Sequence, residues 1–170
     1  MILDEVALIC LLALAEMVAS YGGNMPPKYE ARLATCLDVA REAETAEIPV
    51  SIAVSVAYEE SSFLDGLVSK VGARGPLQII PRYHCPNAKG EHKPHERAGR
   101  LDKCDLVVDG VKALKWFWAT YDKDWSLALA HYSSGEKIYP SSRGYARRVI
   151  RRSHRLDDQL NILMALEARR

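Results

Sequence analysis

Apolar residues recur at helical spacing along most of this chain, and proline or glycine interrupts each run, which restricts the fold to an assembly of short helices. The pattern is plain where Leu33, Cys36, Leu37 and Ala40 fall at i, i+3, i+4 and i+7, one face of a helix expected over 28–45. A preceding helix is expected over 4–21, stopped by Gly22-Gly23-Asn24 and Pro26-Pro27. Pro49 and Ser51 open a third that reaches about Ser61, since proline is tolerated in a helix's first turn. Its run Ile52-Ala53-Val54-Ser55-Val56-Ala57 is β-branched enough to suit a strand, but the frequent alanine and helical neighbours favour helix. Turn formers and cations break the pattern over 64–103. Helix returns over 105–121, where Val108, Val111, Ala113, Leu114, Phe117 and Trp118 form the stripe, and over 124–133, capped by Ser134-Gly135. A last helical region is expected over 143–168, with a break near Ser153-His154. No repeat, low-complexity tract or linker divides the chain, and 170 residues suit one domain with its own core. The fold class expected is all-α.

The net charge of +1 hides an asymmetry. Six arginines and His154 lie between Arg143 and Arg155 without an acid, whereas 41–65 is mostly acidic. Such a cluster serves a solvated helix face, acidic neighbours or an anionic polymer such as cell wall. Only Tyr145 is interleaved with it, and no helix-turn-helix or RNA-binding signature accompanies it, so nucleic acid is not expected as a partner. At the N-terminus, residues 6–15 are apolar on every side but too few for a bilayer span, which needs about 20. Ala13-Leu14-Ala15 resembles a small-x-small cleavage site, yet Met1-Ile2-Leu3-Asp4-Glu5 is acidic where a secretory leader is basic. A buried core helix is expected, the alternative being a cleaved signal or transient anchor, with no stable membrane span.

The chemistry concentrates at Glu60-Ser61-Ser62-Phe63, followed by Gly72-Ala73-Arg74-Gly75-Pro76-Leu77-Gln78. Tyr58, Phe63 and the apolar turns before Glu60 place its carboxyl in a partly desolvated position, where burial raises the pKa. A carboxyl that keeps its proton near neutrality is what general acid catalysis on a glycosidic oxygen requires. Gly72 and Gly75 permit the close backbone approach of a groove floor, and the Gln78 amide can bind a sugar or hold the carboxyl. By itself, a glutamate at a helix end is most often a solvated surface group.

Several separated segments together change that balance. Glu60-Ser61, then Ser69, then Gly72-Ala73-x-Gly75-x-x-Gln78 resembles the signature of the soluble lytic murein transglycosylases, E-S followed by S-x-x-G-A-x-G-L-M-Q at this spacing. Ile79-Ile80-Pro81 is similar to the family's I-M-P continuation. Ala128-Leu129-Ala130-His131-Tyr132-Ser133-Ser134-Gly135 resembles its A-Y-N-A-G element, and Gly144-Tyr145-Ala146-Arg147-Arg148-Val149-Ile150 its Y-V-x-x-V/I element. The helix expected over 105–121, with Gly110 near its start, is similar to the one carrying A-G-x-x-Y/W-L. The resemblance covers about 49–150, leaving 1–48 as an N-terminal helical hairpin and 151–170 as a C-terminal helical extension of a single domain. Its register selects Glu60 over Glu59, which is expected to face solvent. Pro76-Leu77 stands where Leu-Met is usual, and Ser133-Ser134 replaces Asn-Ala.

The resemblance implies a lysozyme-like fold crossed by a groove, with Glu60 as acid/base. Ser69 and Gln78 would shape the site, Tyr132 would hydrogen-bond near the carboxyl, and Tyr145 would line the groove. The substrate implied is the β-1,4 bond between N-acetylmuramic acid and N-acetylglucosamine in peptidoglycan glycan strands. No Asp or Glu lies between Asp65 and Glu91. Most glycosidases need two carboxyl groups, but a substrate whose acetamido group acts as nucleophile needs one. Closure of a 1,6-anhydro ring by the sugar's C6 hydroxyl is therefore favoured over water attack. The alternatives are a hydrolase of the lysozyme or endolysin kind, or a catalytically silent wall-binding module of an injection or secretion apparatus.

Residues 82–103 form a long insert whose neighbourhood holds His84, Cys85, His92, His95 and Cys104. A Cys85–Cys104 disulfide, free thiols and a zinc site all remain open, although the spacing lacks a C-x-x-C pair and fits zinc poorly. Cys10 and Cys36 either face each other across the first hairpin or are small core residues. No cofactor is expected, nor a metal for catalysis. A monomer acting in the bacterial periplasm or cell wall is expected, and the small size with a lone catalytic domain fits phage-encoded or transport-associated origin.

Overall fold

The computed structural model describes residues 4–93 and 96–169. Helices α1 (Glu5–Ser20), α2 (Tyr29–Thr45) and α3 (Val50–Ser61) come first, followed by the short α4 (Pro81–His84) and a 3-10 turn, Leu101–Lys103. Helices α5 (Val108–Thr120), α6 (Trp125–Ser134) and α7 (Pro140–Glu167) complete the order. Among the described residues the extended backbone pairs only at isolated bridges, Val68 with Arg74 and Arg74 with Ile79. The expected all-helical class and helix order are what the structure has.

Helix α3 is the axis of the domain. Seven successive residues, Ser51 through Ala57, are buried, because α1, α2 and α7 all pack around it. An apolar surface on every side is stable in a helix only when neighbours cover it all round. That enclosure resolves the choice between strand and helix for the β-branched run. Burial of Val54 and Val56, both without exposure, contributes roughly 1.5–3 kcal/mol each.

Capping fixes where the helices begin. The Asp4 carboxylate accepts from the Val6 N–H at the start of α1, and Asp124 accepts from Ser126 and Leu127 at the start of α6. Pro140 occupies the first turn of α7, and the Tyr139 N–H donates to the Ser142 hydroxyl at 2.8 Å. Residues Val6, Leu8, Ile9, Cys10, Ala13, Leu14 and Met17 of α1 are buried, as a core helix requires, and the Cys10–Cys36 disulfide ties α1 to α2. No helix among the described residues is long and apolar enough to cross a membrane.

Two expectations about the helices need correction. Helix α7 runs unbroken through Ser153 and His154. Val149, Ser153, Leu156 and Leu160 keep one stripe on the core, and the Ser153 hydroxyl is satisfied by the Ile150 carbonyl at 2.9 Å. The buried face of α2 is also rotated from the expected one: Arg32, Thr35, Cys36, Val39, Ala40 and Ala43 face inward, while Leu33 and Leu37 are only half-buried. Arg32 can be buried because its guanidinium donates to the Pro27 carbonyl at 2.8 Å and to the Ser62 carbonyl. This second bond anchors the end of α3, directly beyond Glu60.

Candidate active site

Glu60 stands in the last turn of α3, and the residues after it bend away sharply. Ser62 and Phe63 both take left-handed backbone conformations, with φ of 51° and 63°. Phe63 then buries its ring, 1% exposed, edge-on to Tyr58 at 5.9 Å. The Ser61 hydroxyl joins the helix end to the glycine-rich segment through the Ala57 and Pro76 carbonyls, at 3.1 and 2.9 Å.

That segment folds as a compact double turn. Ser69 N–H donates to the Ala73 carbonyl at 2.9 Å, and Ala73 N–H returns to the Ser69 hydroxyl at 3.0 Å. Arg74 and Ile79 exchange backbone bonds at 2.8 and 3.1 Å. Gly75 has φ of 75°, and a Cβ there would stand 2.8 Å from Leu106 Cβ, so glycine is required on both counts. Gly110 on α5 does the same from the other side, since a Cβ would stand 2.7 Å from Leu77 Cδ1. Leu77 is thereby clamped, fully buried, between the turn and α5.

A groove opens over this floor, lined by Glu60, Ser69, Val71, Ala73, Gln78, Ile79, Ile80, His84, Tyr132 and Ser133. Four of the five residues singled out from the sequence therefore meet there. Among the described residues, Glu60 is the sole carboxylate in that lining. Burial pushes its carboxyl up to about 7; a hydrogen-bonding contact with Tyr145 works the other way, and the charge of Glu59 adds to the rise. A second hollow, between α2 and the start of α5, is lined by Asp38, Arg41, Glu42, Thr45, Asp105, Val107 and Val108, and contains none of the motif residues.

Tyr145 takes a different role from the one expected. Tyr145 does not line the groove. It is buried at 7% exposure behind Glu60, because its position on α7 faces the core. Its hydroxyl lies against the Glu60 carboxyl without a hydrogen bond of acceptable geometry, and burial together with the Glu60 charge raises the Tyr145 pKa well above 10. Tyr132 lines the groove within reach of the Glu60 charge, and its hydroxyl donates to the Leu77 carbonyl, fixing the floor beside the carboxyl. Gln78, at φ of 47°, spends its amide donors on the Leu67 and Gly75 carbonyls at 3.0 and 2.9 Å, so its NH₂ group shapes the turn.

Glu59 does not face solvent. It is bound by Arg148 at 3.0 Å and by Arg152, which also holds Glu16 at 3.1 Å and lies 3.7 Å over the Tyr58 ring. Burial by itself would raise the Glu59 carboxyl, but the hydrogen bonds and charges of Arg152 and Arg148 outweigh it and hold the pKa below the usual range. Arg155 completes the cluster by pairing with Glu16 at 3.0 Å. Half of the arginine cluster is thus matched to acidic neighbours. Val71, Ile80, His84 and Ser133 also line the groove without having been assigned site roles from the sequence. For His84 the usable signal was its place three residues beyond the Ile79-Ile80-Pro81 continuation.

Cys10–Cys36 and Cys85–Cys104 are both disulfides in the structure, with Cα separations of 5.8 and 5.0 Å. His95 lies outside the described residues.

An all-helical domain with a buried-end carboxylate over a glycine-built groove is the architecture of lysozyme-like wall-cleaving proteins. The family model described as the transglycosylase SLT domain matches residues 39–154, and the chain belongs to that family. Membership implies degradation of peptidoglycan of the lytic-transglycosylase type. A comparison with curated proteins found no match.

Proposed function

We propose that the protein cleaves the β-1,4 bond between N-acetylmuramic acid and N-acetylglucosamine, leaving a 1,6-anhydromuramyl end, with Glu60 as the single acid and base. The observation carrying this reading is that Glu60 is the sole carboxylate lining the groove and has a pKa raised to about 7 by burial. Protonated Glu60 donates to the glycosidic oxygen, and N-acetylglucosamine leaves with a new 4-hydroxyl. The acetamido carbonyl oxygen of the muramyl residue bonds to C1 as that bond breaks, replacing the second carboxylate. Glu60, now ionised, takes the proton from the C6 hydroxyl. O6 then attacks C1, the acetamido group is released intact, and Glu60 keeps the C6 proton for the next cycle.

Glu59 contributes no second carboxylate, since Arg148 and Arg152 engage it away from the groove lining. Ser69 and Gln78 hold the turn under the substrate, Tyr132 holds the Leu77 carbonyl, and Tyr145 supports the carboxyl from behind. A bacterial cell wall or periplasm is the place of action that goes with this substrate. Digestion of purified peptidoglycan, with products weighed by mass spectrometry, tests the reading. Anhydromuropeptides, one water lighter than reducing-end products and free of label in heavy-oxygen water, are expected from the wild type and not from Glu60→Gln. Labelled reducing ends would replace ring closure by hydrolysis, and undiminished lysis by Glu60→Gln would remove Glu60 from the mechanism.

A further inference from the structure

The insert after α4 holds a cluster that the wall-cleaving reading leaves unused. Cys85 caps the end of α4 and is buried at 3% exposure; Cys104 follows the 3-10 turn. Beside them, Asp109 in the first turn of α5 is 2% exposed. Both sulfur atoms and one of its carboxylate oxygens lie within 4.8 Å of one another. Asp109 Oδ2 is occupied, accepting from the Asp105 N–H at 3.0 Å. Asp109 Oδ1 faces His92 Nε2 at 3.3 Å and Lys112 Nζ at 3.6 Å. The His92 nitrogen is buried and, although at ion-pair distance, makes no hydrogen bond of acceptable geometry.

A disulfide has no use for this company. It gives Asp109 Oδ1 no partner beyond His92 and Lys112 at ion-pair distance, and it leaves the buried His92 nitrogen without a hydrogen bond of acceptable geometry, which carries a desolvation cost. Two sulfurs, one carboxylate oxygen and one imidazole nitrogen are instead the donors that a tetrahedral divalent ion of the zinc class takes. With metal–ligand bonds of about 2.0–2.3 Å, tetrahedral donors stand about 3.5 Å apart, so on an ion the two sulfurs part after reduction while the Asp109 oxygen, within 4.8 Å of them, and His92 Nε2, 3.3 Å from Asp109 Oδ1, move in.

We propose that, once the Cys85–Cys104 bond is reduced, Cys85, Cys104, Asp109 and His92 bind one zinc-class divalent ion that staples the insert in place of the disulfide. A dithiol gives its two hydrogens to the S–S bond and leaves as a cyclic disulfide, or a phosphine supplies two electrons, takes oxygen from one water whose two protons go to the sulfurs, and leaves as a phosphine oxide. Binding of the ion then releases the two thiol protons to solvent. Two thiolates, one carboxylate and a neutral imidazole leave the site at a net charge of −1, which the neighbouring Lys112 offsets. The need for some staple is local. Between Cys85 and Cys104 the described residues form no helix beyond the three-residue turn, so this stretch has little core of its own.

The test uses the full chain, reduced with a phosphine and given Zn²⁺ or Co²⁺, then desalted and assayed for bound metal. One ion per chain is expected, with cobalt showing thiolate charge-transfer and tetrahedral bands. Cys10→Ala/Cys36→Ala is expected to keep that ion, and Cys85→Ser/Cys104→Ser to lose it. His92→Ala and Asp109→Asn, which retains an oxygen for the Asp105 N–H, should each weaken binding at least about tenfold, since even an outer-shell partner is worth roughly 10–100-fold. No stoichiometric metal in the reduced, folded chain would overturn the proposal. So would retention in Cys85→Ser/Cys104→Ser, or unchanged affinity in both His92→Ala and Asp109→Asn. Metal content is read without reference to lysis, so the outcome is independent of what Glu60 does.

Discussion

Replacing Glu60 by glutamine removes a titration, not a shape, and the structure gives the size of the effect. Burial raises the Glu60 carboxyl from 4.5 to about 7. At about 1.36 kcal/mol per unit, folding disfavours the ionised form by about 3 kcal/mol. Below 4.5 the folded and unfolded chains both hold the proton, so the two proteins differ by a constant. As pH rises from there, the unfolded chain ionises first, and wild-type stability falls until the folded carboxyl has ionised above about 7. Glutamine has no such loss. Relative to their difference in acid, Glu60→Gln should therefore gain about 3 kcal/mol by about pH 9. In urea, with m of about 1–3 kcal/mol/M, the midpoint of the variant relative to wild type should shift upward by roughly 1–3 M between acid and about pH 9. The same variant should lose lysis at every pH. Denaturation curves at about pH 4, 6 and 9 decide the matter. A stability difference that stays constant across that range, or that shrinks as pH rises, would refute the claim that this carboxyl is desolvated.

The electrostatic clasp behind the site offers another check. Arg152→Ala leaves Glu16 and Glu59 without their shared partner and strips a cation from Tyr58, so a loss of about 2–4 kcal/mol is expected, somewhat below that of a fully buried pair. Both carboxyls are held below their ordinary range, so this contribution is present above that range and fades as pH falls through their folded pKa values; thermal unfolding in acid and at neutrality should show the gap narrowing. Gly110→Ala drives a methyl into Leu77 and should cost about 1–3 kcal/mol. Adding Leu77→Ala to it makes room, so the double variant should be no less stable than Leu77→Ala alone; a simple sum of the two losses in a denaturant cycle would refute the close approach.

Much of the site was legible because its determinants are local. Glycine at 75 answers a left-handed backbone, and Ser69 and Gln78 sit where a tight turn uses their hydrogen bonds. Glu59 and Glu60 are sequence neighbours with similar surroundings, and their difference arises from α7, about ninety residues on. Arg148 and Arg152 engage one carboxylate, while the other is left to face the groove. Tyr145 was expected to line the groove and instead packs behind the Glu60 carboxyl, because a motif fixes position along an element and not the direction from which that element packs. The rotated face of α2 has the same origin, since Arg32 became buried only through carbonyls supplied by the loop before it and the end of α3.

Periodicity, capping and backbone freedom within short stretches are enough to specify the helical class, the order of helices and the residues able to build a glycine-floored turn. Tertiary structure decided the rest: which glutamate lost its water, which arginines were neutralised, that α7 continued past Ser153, and which cysteines met. Desolvation and ion pairing depend on what packs against a group from elsewhere in the chain, and a linear pattern carries no record of that neighbour's direction.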